Sequence, residues 1–335
     1  RALRERGVEN FRLGAQTCII SYHAELDGTD CPRPNPQALE ELLSGISALE
    51  PRVLHVDNAN PAVIARHPAE SGEILRSLVR HCTPGNVLAL GMETADPEVG
   101  RINNLNATPE EVLWSVREIN RLGGERGENG LPLLLPGINI LVGLEGERKS
   151  SLDLNLRFLK GILDQGLLLR RINIRQVMPV RREFPETVKH GDFLKFKERV
   201  RQEVDRPMLE RLVPVGTVLR SVYTEMREGK VAFGRQIGSY PLLVGIPHPV
   251  EMGAFVDVAV VGHGFRSISA VRYPLQVNEC HITALEALPG LGRKRATRLF
   301  RARPMNGPED LMEALDDPRV AEGVLPFISF RQSQP

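Results

Sequence analysis

The chain has 335 residues, 41% of them hydrophobic and 25% charged, with a formal net charge of +1. That length accommodates one large domain with one or two small ones. The near-neutral balance provides no whole-chain field for nucleic acid or a membrane surface, and no apolar run reaches the ~18 to 20 residues that span a bilayer.

Residues 1–7 read as a charged helix running straight into a strand, and the first residue is not Met, so the expectation is a protein that continues upstream. Strand-like runs follow at 10–20, 52–58, 87–93, 133–143 and 171–178, with helical patterns between them at 37–48, 70–81, 109–122 and 150–165. The third helix opens with Thr108-Pro109-Glu110-Glu111, an N-cap followed by proline and acids in the first turn. Strands alternating with helices predict βα units in a parallel sheet or barrel. The cysteines Cys18, Cys31, Cys82 and Cys280 are too scattered for a zinc or cluster motif and read as reduced thiols of a cytoplasmic protein.

Side chains on a strand alternate faces. Ile138, Ile140 and Val142 share one face, and Asn139, Leu141 and Gly143 the other. The same sorting sets Leu88, Leu90 and Met92 against Ala89, Gly91 and Glu93, Leu54 and Val56 against Val53, His55 and Asp57, Ile172 and Ile174 against Asn173 and Arg175, and Leu13 against Arg12, Gly14 and Gln16. Each strand thus has a greasy face and a small or polar one. A closed eight-stranded barrel fills its centre with branched apolar side chains; a polar interior predicts an open barrel with a ligand inside. Functional groups should gather at the C-terminal strand ends, which carry His55, Asp57, Asn58, Glu93, Thr94, Gly143 and Glu145. The sequence does not identify the catalytic residues; His55 and Asp57 are the candidates, and a structural pair is the competing reading.

The charged stretch 181–212, with Phe184-Pro185 marking a loop, reads as a helical connector between a first domain at 1–180 and a small β-barrel of OB or TRAM type at 213–278. The tail, 279–335, carries a helix, a Pro-Gly-Leu-Gly turn and a second, basic helix. Gly290 and Gly292 open backbone amides toward a helix N-terminus, and Arg293, Lys294 and Arg295 add positive charge, a natural cradle for phosphate. This turn resembles the helix-hairpin-helix motif and points to RNA or DNA.

Two segments carry a wider resemblance. Gly91-Met92-Glu93-Thr94-Ala95-Asp96 is similar to the segment that follows the third visible strand in the branch of the radical SAM superfamily containing oxygen-independent coproporphyrinogen oxidases and methylthiotransferases. Asn139-Ile140-Leu141-Val142-Gly143-Leu144-Glu145-Gly146-Glu147 resembles the glycine-rich turn of that branch, with Leu144-Glu145 where Pro-Gly usually stands. With its appended modules the whole chain looks most like an archaeal radical SAM family. The resemblance implies a partial (β/α)6 barrel holding S-adenosylmethionine and a [4Fe-4S] cluster, and an electron donor as partner. Reductive cleavage of the cofactor would give a 5′-deoxyadenosyl radical acting on an RNA or ribonucleoprotein. By the same resemblance Gly91, Glu93 and Thr94 approach the ribose or amino group, Asn139 and Gly143 lie beside the adenosine, and Arg175 and Val177 sit near the adenine or carboxylate. The family's three-cysteine loop after its first strand is missing, so the five strands correspond to the second to sixth, no metal ligand is expected in this chain, and the cluster ligands are expected before residue 1. Two readings compete: a non-catalytic nucleic-acid-binding protein on a degenerate barrel, and a barrel lyase or aldolase, which would want a strand-end lysine that the sequence does not place.

Overall fold

The computed structural model describes residues 1–26, 28–177 and 188–331; the loop expected at Phe184-Pro185 and the boundary expected between 180 and 181 lie outside them. The fold is mixed α/β with a closed five-stranded β-barrel. Two compact units are present. The first comprises Arg1–Gly127, Leu131–Leu212 and Gly238–Tyr240; the second comprises Glu128–Gly130, Val213–Ile237 and Pro241–Pro335.

The first unit runs α1 (Ala2–Glu5), β1 (Asn10–Leu13), α2 (Pro36–Ser47), β2 (Val53–Val56), β3 (Asn58–Ala59), α3 (Pro61–Arg66), α4 (Pro68–His81), β4 (Asn86–Glu93), α5 (Pro97–Ile102), α6 (Pro109–Gly123), β5 (Leu134–Val142), α7 (Lys149–Asp164), β6 (Arg171–Gln176), α8 (His190–Val200) and α9 (Arg206–Leu212). Every strand pairing is parallel and follows chain order, β1 with β2 and then β3 to β6. Asp57 alone separates β2 from β3, and its carbonyl accepts the Ala89 N–H at 2.9 Å. The run expected over 10–20 is a strand only to Leu13, whose carbonyl is taken by the Gln16 side chain at 2.7 Å.

Four described helices of the first unit start alike. Asn35, Asn60, Asp96 and Thr108 each cap the first turn through the side chain, and each is followed by proline at the first helical position. Each cap satisfies amides the helix cannot use and is worth about 1 kcal/mol. Thr108 and Glu111 complete a capping box. The greasy strand faces, Leu54, Val56, Leu90, Ile138, Ile140 and Ile172, are buried in one cluster with α2, α4, α6 and α7. That covers one side of the sheet.

In the second unit β7 (Val218–Glu228), β8 (Val231–Gln236), β9 (Leu243–Ile246), β10 (Phe255–His263) and β11 (Ser267–Arg272) close a barrel in the order β7–β8–β9–β11–β10 and back to β7. Only β9 and β11 pair in parallel. The chain continues through β12 (Leu275–Gln276), α10 (Ile282–Ala287), α11 (Gly292–Arg301), α12 (Pro308–Ala314), α13 (Pro318–Val324) and β13 (Ile328–Ser329), which pairs with β12. Leu285, Leu299, Leu311 and Val324 of these helices share a core with Ala259 and Val271 of the barrel. No helix among the described residues is long and apolar enough to cross a membrane.

Candidate functional site

Residues aligned across parallel strands share a face. Ala89, Gly137 and Arg171 stand in one row of the sheet, Gly91, Asn139 and Asn173 in the next row of the same face, and Leu141 and Arg175 beyond. The residues between them, Leu90, Ile138 and Ile172, belong to the helix-covered core. The opposite face is short of volume in these rows and carries the carboxamides of Asn139 and Asn173. Asn173 donates to the Asn139 carboxamide oxygen at 3.0 Å, which accounts for the one polar residue within the apolar run.

The ladder breaks at one place. Gly91 pairs with Asn139 but Glu93 pairs with Ile140, so Met92 is an extra residue, a β-bulge at the C-terminal end of β4. Glu93 there has φ +63°, a left-handed conformation that a residue with a side chain adopts at a cost of about 1–3 kcal/mol. The bulge re-aims the Glu93 carboxylate back over the sheet. A Cβ at position 91 would stand 2.9 Å from Glu93 Oε1, so the glycine makes room for the carboxylate. Burial pushes the Glu93 carboxyl up to about 7, against the pull of Arg175. Gly91, Glu93, Asn139, Asn58 and Asn60 line a cavity of about 290 Å³ at this end of the strands. A strained, half-buried acid with raised proton affinity beside two or three amides is a group of the kind that functional sites maintain.

After β5 the chain turns through Gly143 (φ +93°) and Gly146 (φ +78°). Only glycine fits at 146, where a Cβ would meet Ile102 Cδ1 at 2.7 Å. The fully buried Glu147 folds back and its carboxylate accepts the Gly143 N–H, while burial lifts its carboxyl to about 7. Asn103 clamps the turn from α5, accepting from Glu145 N at 3.2 Å and donating to the Glu145 carbonyl at 2.9 Å.

Other predicted residues are placed differently. Thr94 does not line the cavity; it is buried against α7, facing Asn155, and its hydroxyl accepts from Asp96 N at 3.1 Å. Arg175 is exposed on β6, and Val177 continues the ladder by donating to Val142 O at 2.8 Å. His55 and Asp57, the two catalytic candidates, are neither paired with each other nor among the cavity residues. Ser239 N–H donates to His55 Nδ1 at 2.9 Å, so the ring proton sits on Nε2, which faces Thr83 O at 3.1 Å. Burial drops the proton affinity of His55 to about 4. Asp57 accepts from the Arg12 guanidinium and from the Tyr240 hydroxyl. Tyr240 (φ +52°) also lies 3.9 Å below the Arg171 guanidinium, and its carbonyl takes Arg170 at 2.6 Å. Both candidates are thus occupied in holding Gly238–Tyr240 within the first unit. Strand alternation had no signal for Tyr240, which lies far along the chain from both residues.

In the second unit Gly290 (φ +76°) and Gly292 (φ +53°) form the turn into α11, and Arg293 and Lys294 are exposed on its first turn. Arg295 points elsewhere: it donates to Asp316 at 2.9 Å and to the Gly290 carbonyl at 2.9 Å. Among the described residues no three His, Cys, Asp or Glu stand close enough to hold a metal ion. All four cysteines are free thiols, and burial raises the proton affinity of Cys31 and Cys280 and pushes Cys82 up to about 12. Cys31 lies on a second cavity of about 480 Å³, which shares Leu105 and Asn106 with the first.

No family model matches the chain. It is 50% identical over 280 residues to an uncharacterized protein of Methanocaldococcus jannaschii, covering 80% of this chain and 52% of that one. It is 42% identical over 320 residues to an uncharacterized protein of Archaeoglobus fulgidus, covering 93% of this chain and 59% of that one. The chain therefore spans a little over half the length of these curated relatives. Among solved structures it is similar to the coproporphyrinogen III oxidase HemN of Escherichia coli, a radical SAM enzyme, with TM-score 0.37 and 12% identity over 50% of this chain and 36% of that one. It is also similar to the archaeal Elp3 of Methanocaldococcus infernus with its N-terminus deleted, with TM-score 0.30 and 10% identity over 77% and 71%.

Proposed function

We propose that the first unit is the S-adenosylmethionine-binding part of a radical SAM enzyme, a partial (β/α)6 TIM-like barrel lacking its first strand. The observation that supports this most is Glu93: a carboxylate turned by a bulge into a cavity lined by Gly91 and Asn139, at the C-terminal end of a parallel sheet. When bound, S-adenosylmethionine supplies the 5′-deoxyadenosyl group whose radical removes hydrogen from a substrate. The chain's own tasks are binding and exclusion of water. Glu93 accepts a hydrogen bond from the ribose hydroxyls or the amino group, Asn139 offers its amide to the adenosine, and Gly91 with Gly143 lets the ligand approach the backbone. Arg175 takes the carboxylate end.

The donors fit the nucleoside. They do not fit the [4Fe-4S] cluster, because three thiolates must converge on it and the four cysteines do not.

The second unit is read as an OB/TRAM-type barrel with a helix-hairpin-helix, engaging RNA or a ribonucleoprotein. The strand order β7–β8–β9–β11–β10 supports the barrel reading, and Arg293 and Lys294, exposed beside Gly290 and Gly292, support a phosphate contact. Arg295, held by Asp316, is left out of that contact.

Titration calorimetry of the chain with S-adenosylmethionine tests the cofactor reading. The expected result is saturable one-to-one binding, weakened about tenfold by Glu93→Gln and abolished by Asn139→Leu. Absence of binding, or equal binding by both variants, overturns it.

A further inference from the structure

The second unit holds a cavity of about 460 Å³ that the proposed function leaves unused. His248 and Pro249, which follow β9, line it together with Arg272 at the end of β11, Tyr273, Gln276 on β12 and His281 at the start of α10. His248 is 4% exposed, and both ring nitrogens are committed: Nε2 accepts Arg272 N–H at 3.2 Å and Nδ1 faces Pro249 O at 3.1 Å. It is a fixed, neutral wall. Its low proton affinity comes first from burial, and the charge of the Arg272 guanidinium adds to it, so a permanent cation bears on this spot. The Arg272 side chain is exposed, and Glu279 contributes the one acidic group of the lining. Gln276 has its carboxamide oxygen buried with no hydrogen-bond partner.

These features specify a ligand. Arginine beside histidine favours an anion, above all phosphate. A tyrosine ring and a proline offer flat apolar walls to a planar ring. A buried acceptor without a donor calls for an N–H. We propose that this cavity binds one nucleotide, free or as a unit of a strand, with its phosphate toward Arg272 and His281, its base against Tyr273 and Pro249, and an exocyclic amine toward Gln276. The proposal is independent of the S-adenosylmethionine reading, because every residue in it belongs to the second unit.

The test is titration calorimetry with 5′-AMP, adenosine, 5′-UMP and the dinucleotide pApA. It uses the chain carrying Asn139→Leu, which blocks the cavity of the first unit, and repeats the measurements with the unmodified chain. Expected is binding of 5′-AMP that Arg272→Ala weakens about tenfold while adenosine binding stays unchanged, and that Gln276→Leu weakens for 5′-AMP but not for 5′-UMP, which lacks the amine. Tighter binding of pApA than of 5′-AMP identifies a strand as the ligand; equal or weaker binding identifies the free nucleotide. Absence of 5′-AMP binding, or affinities that neither variant changes, overturns the proposal; Arg272 is exposed, so its replacement leaves folding intact.

Discussion

Glu93→Gln isolates the electrostatic cost of the candidate site. Burial lifts the Glu93 carboxyl from 4.5 to about 7, and at about 1.4 kcal/mol per unit the ionised form costs the folded state up to about 3 kcal/mol. Water entering the cavity screens that toward about 2 kcal/mol. Because the folded value is raised, the stabilising contribution belongs to the neutral acid. It is present in full below pH 4.5 and is lost as the pH rises through about 7. Glutamine mimics the neutral acid and keeps the side-chain length and the φ of +63°. Urea unfolding of both proteins between pH 4 and pH 8.5 should therefore give nearly equal stabilities at the acid end. A gap favouring the variant should open through the window and level off at about 2 kcal/mol. Glu147 titrates in the same range but is present in both proteins and cancels. A difference that does not vary with pH would show that Glu93 is not held in a desolvated place and would remove the basis for the site.

The same carboxylate must be ionised to receive a hydroxyl or ammonium donor, so S-adenosylmethionine should bind more tightly at pH 8 than at pH 6, and Glu93→Gln should flatten that profile. Gly91→Ala drives a methyl group into Glu93 Oε1; the protein should keep its fold, shown by an unchanged far-UV spectrum, yet bind the cofactor about tenfold more weakly. Tyr240→Phe removes the hydroxyl that donates to Asp57 and accepts from Arg12 and should cost about 1 kcal/mol in urea unfolding, whereas Asp57→Ala takes the carboxylate away from both Arg12 and Tyr240 and should cost about 2–3 kcal/mol. Neither should alter cofactor affinity, and a loss of affinity in either would restore Asp57 to the binding site. Replacing Arg293 and Lys294 together should lower the salt dependence of RNA binding by about two units of log–log slope, while Arg295→Ala should lower stability instead.

The parallel order of the first unit was legible because each strand is greasy on one side only, and because four helices begin with a side-chain cap and a proline. The short helices α3 and α5 escaped the periodicity reading. Six residues are under two turns, and their caps, Asn60-Pro61 and Asp96-Pro97, come within three residues of strand ends and look like loop. Glu93 and Asn139 were legible through parity, since a polar residue in an apolar strand has few bland explanations. The bulge was not legible: Met92 is an ordinary apolar residue, and its extra place appears only against the register of β5. Parity also failed at His55 and Asp57. His55 lies on the polar side of β2 and Asp57 directly follows that strand, but what meets them is Ser239 and Tyr240 some 180 residues later, a long-range contact that strand alternation cannot encode.

The most direct test of the account is a crystal structure of the chain with S-adenosylmethionine bound. It predicts the nucleoside within hydrogen-bond distance of the Glu93 carboxylate and the Asn139 amide, in the cavity at the C-terminal ends of β4 and β5. A ligand bound anywhere else, or a Glu93 that keeps its place while the nucleoside avoids it, would contradict it.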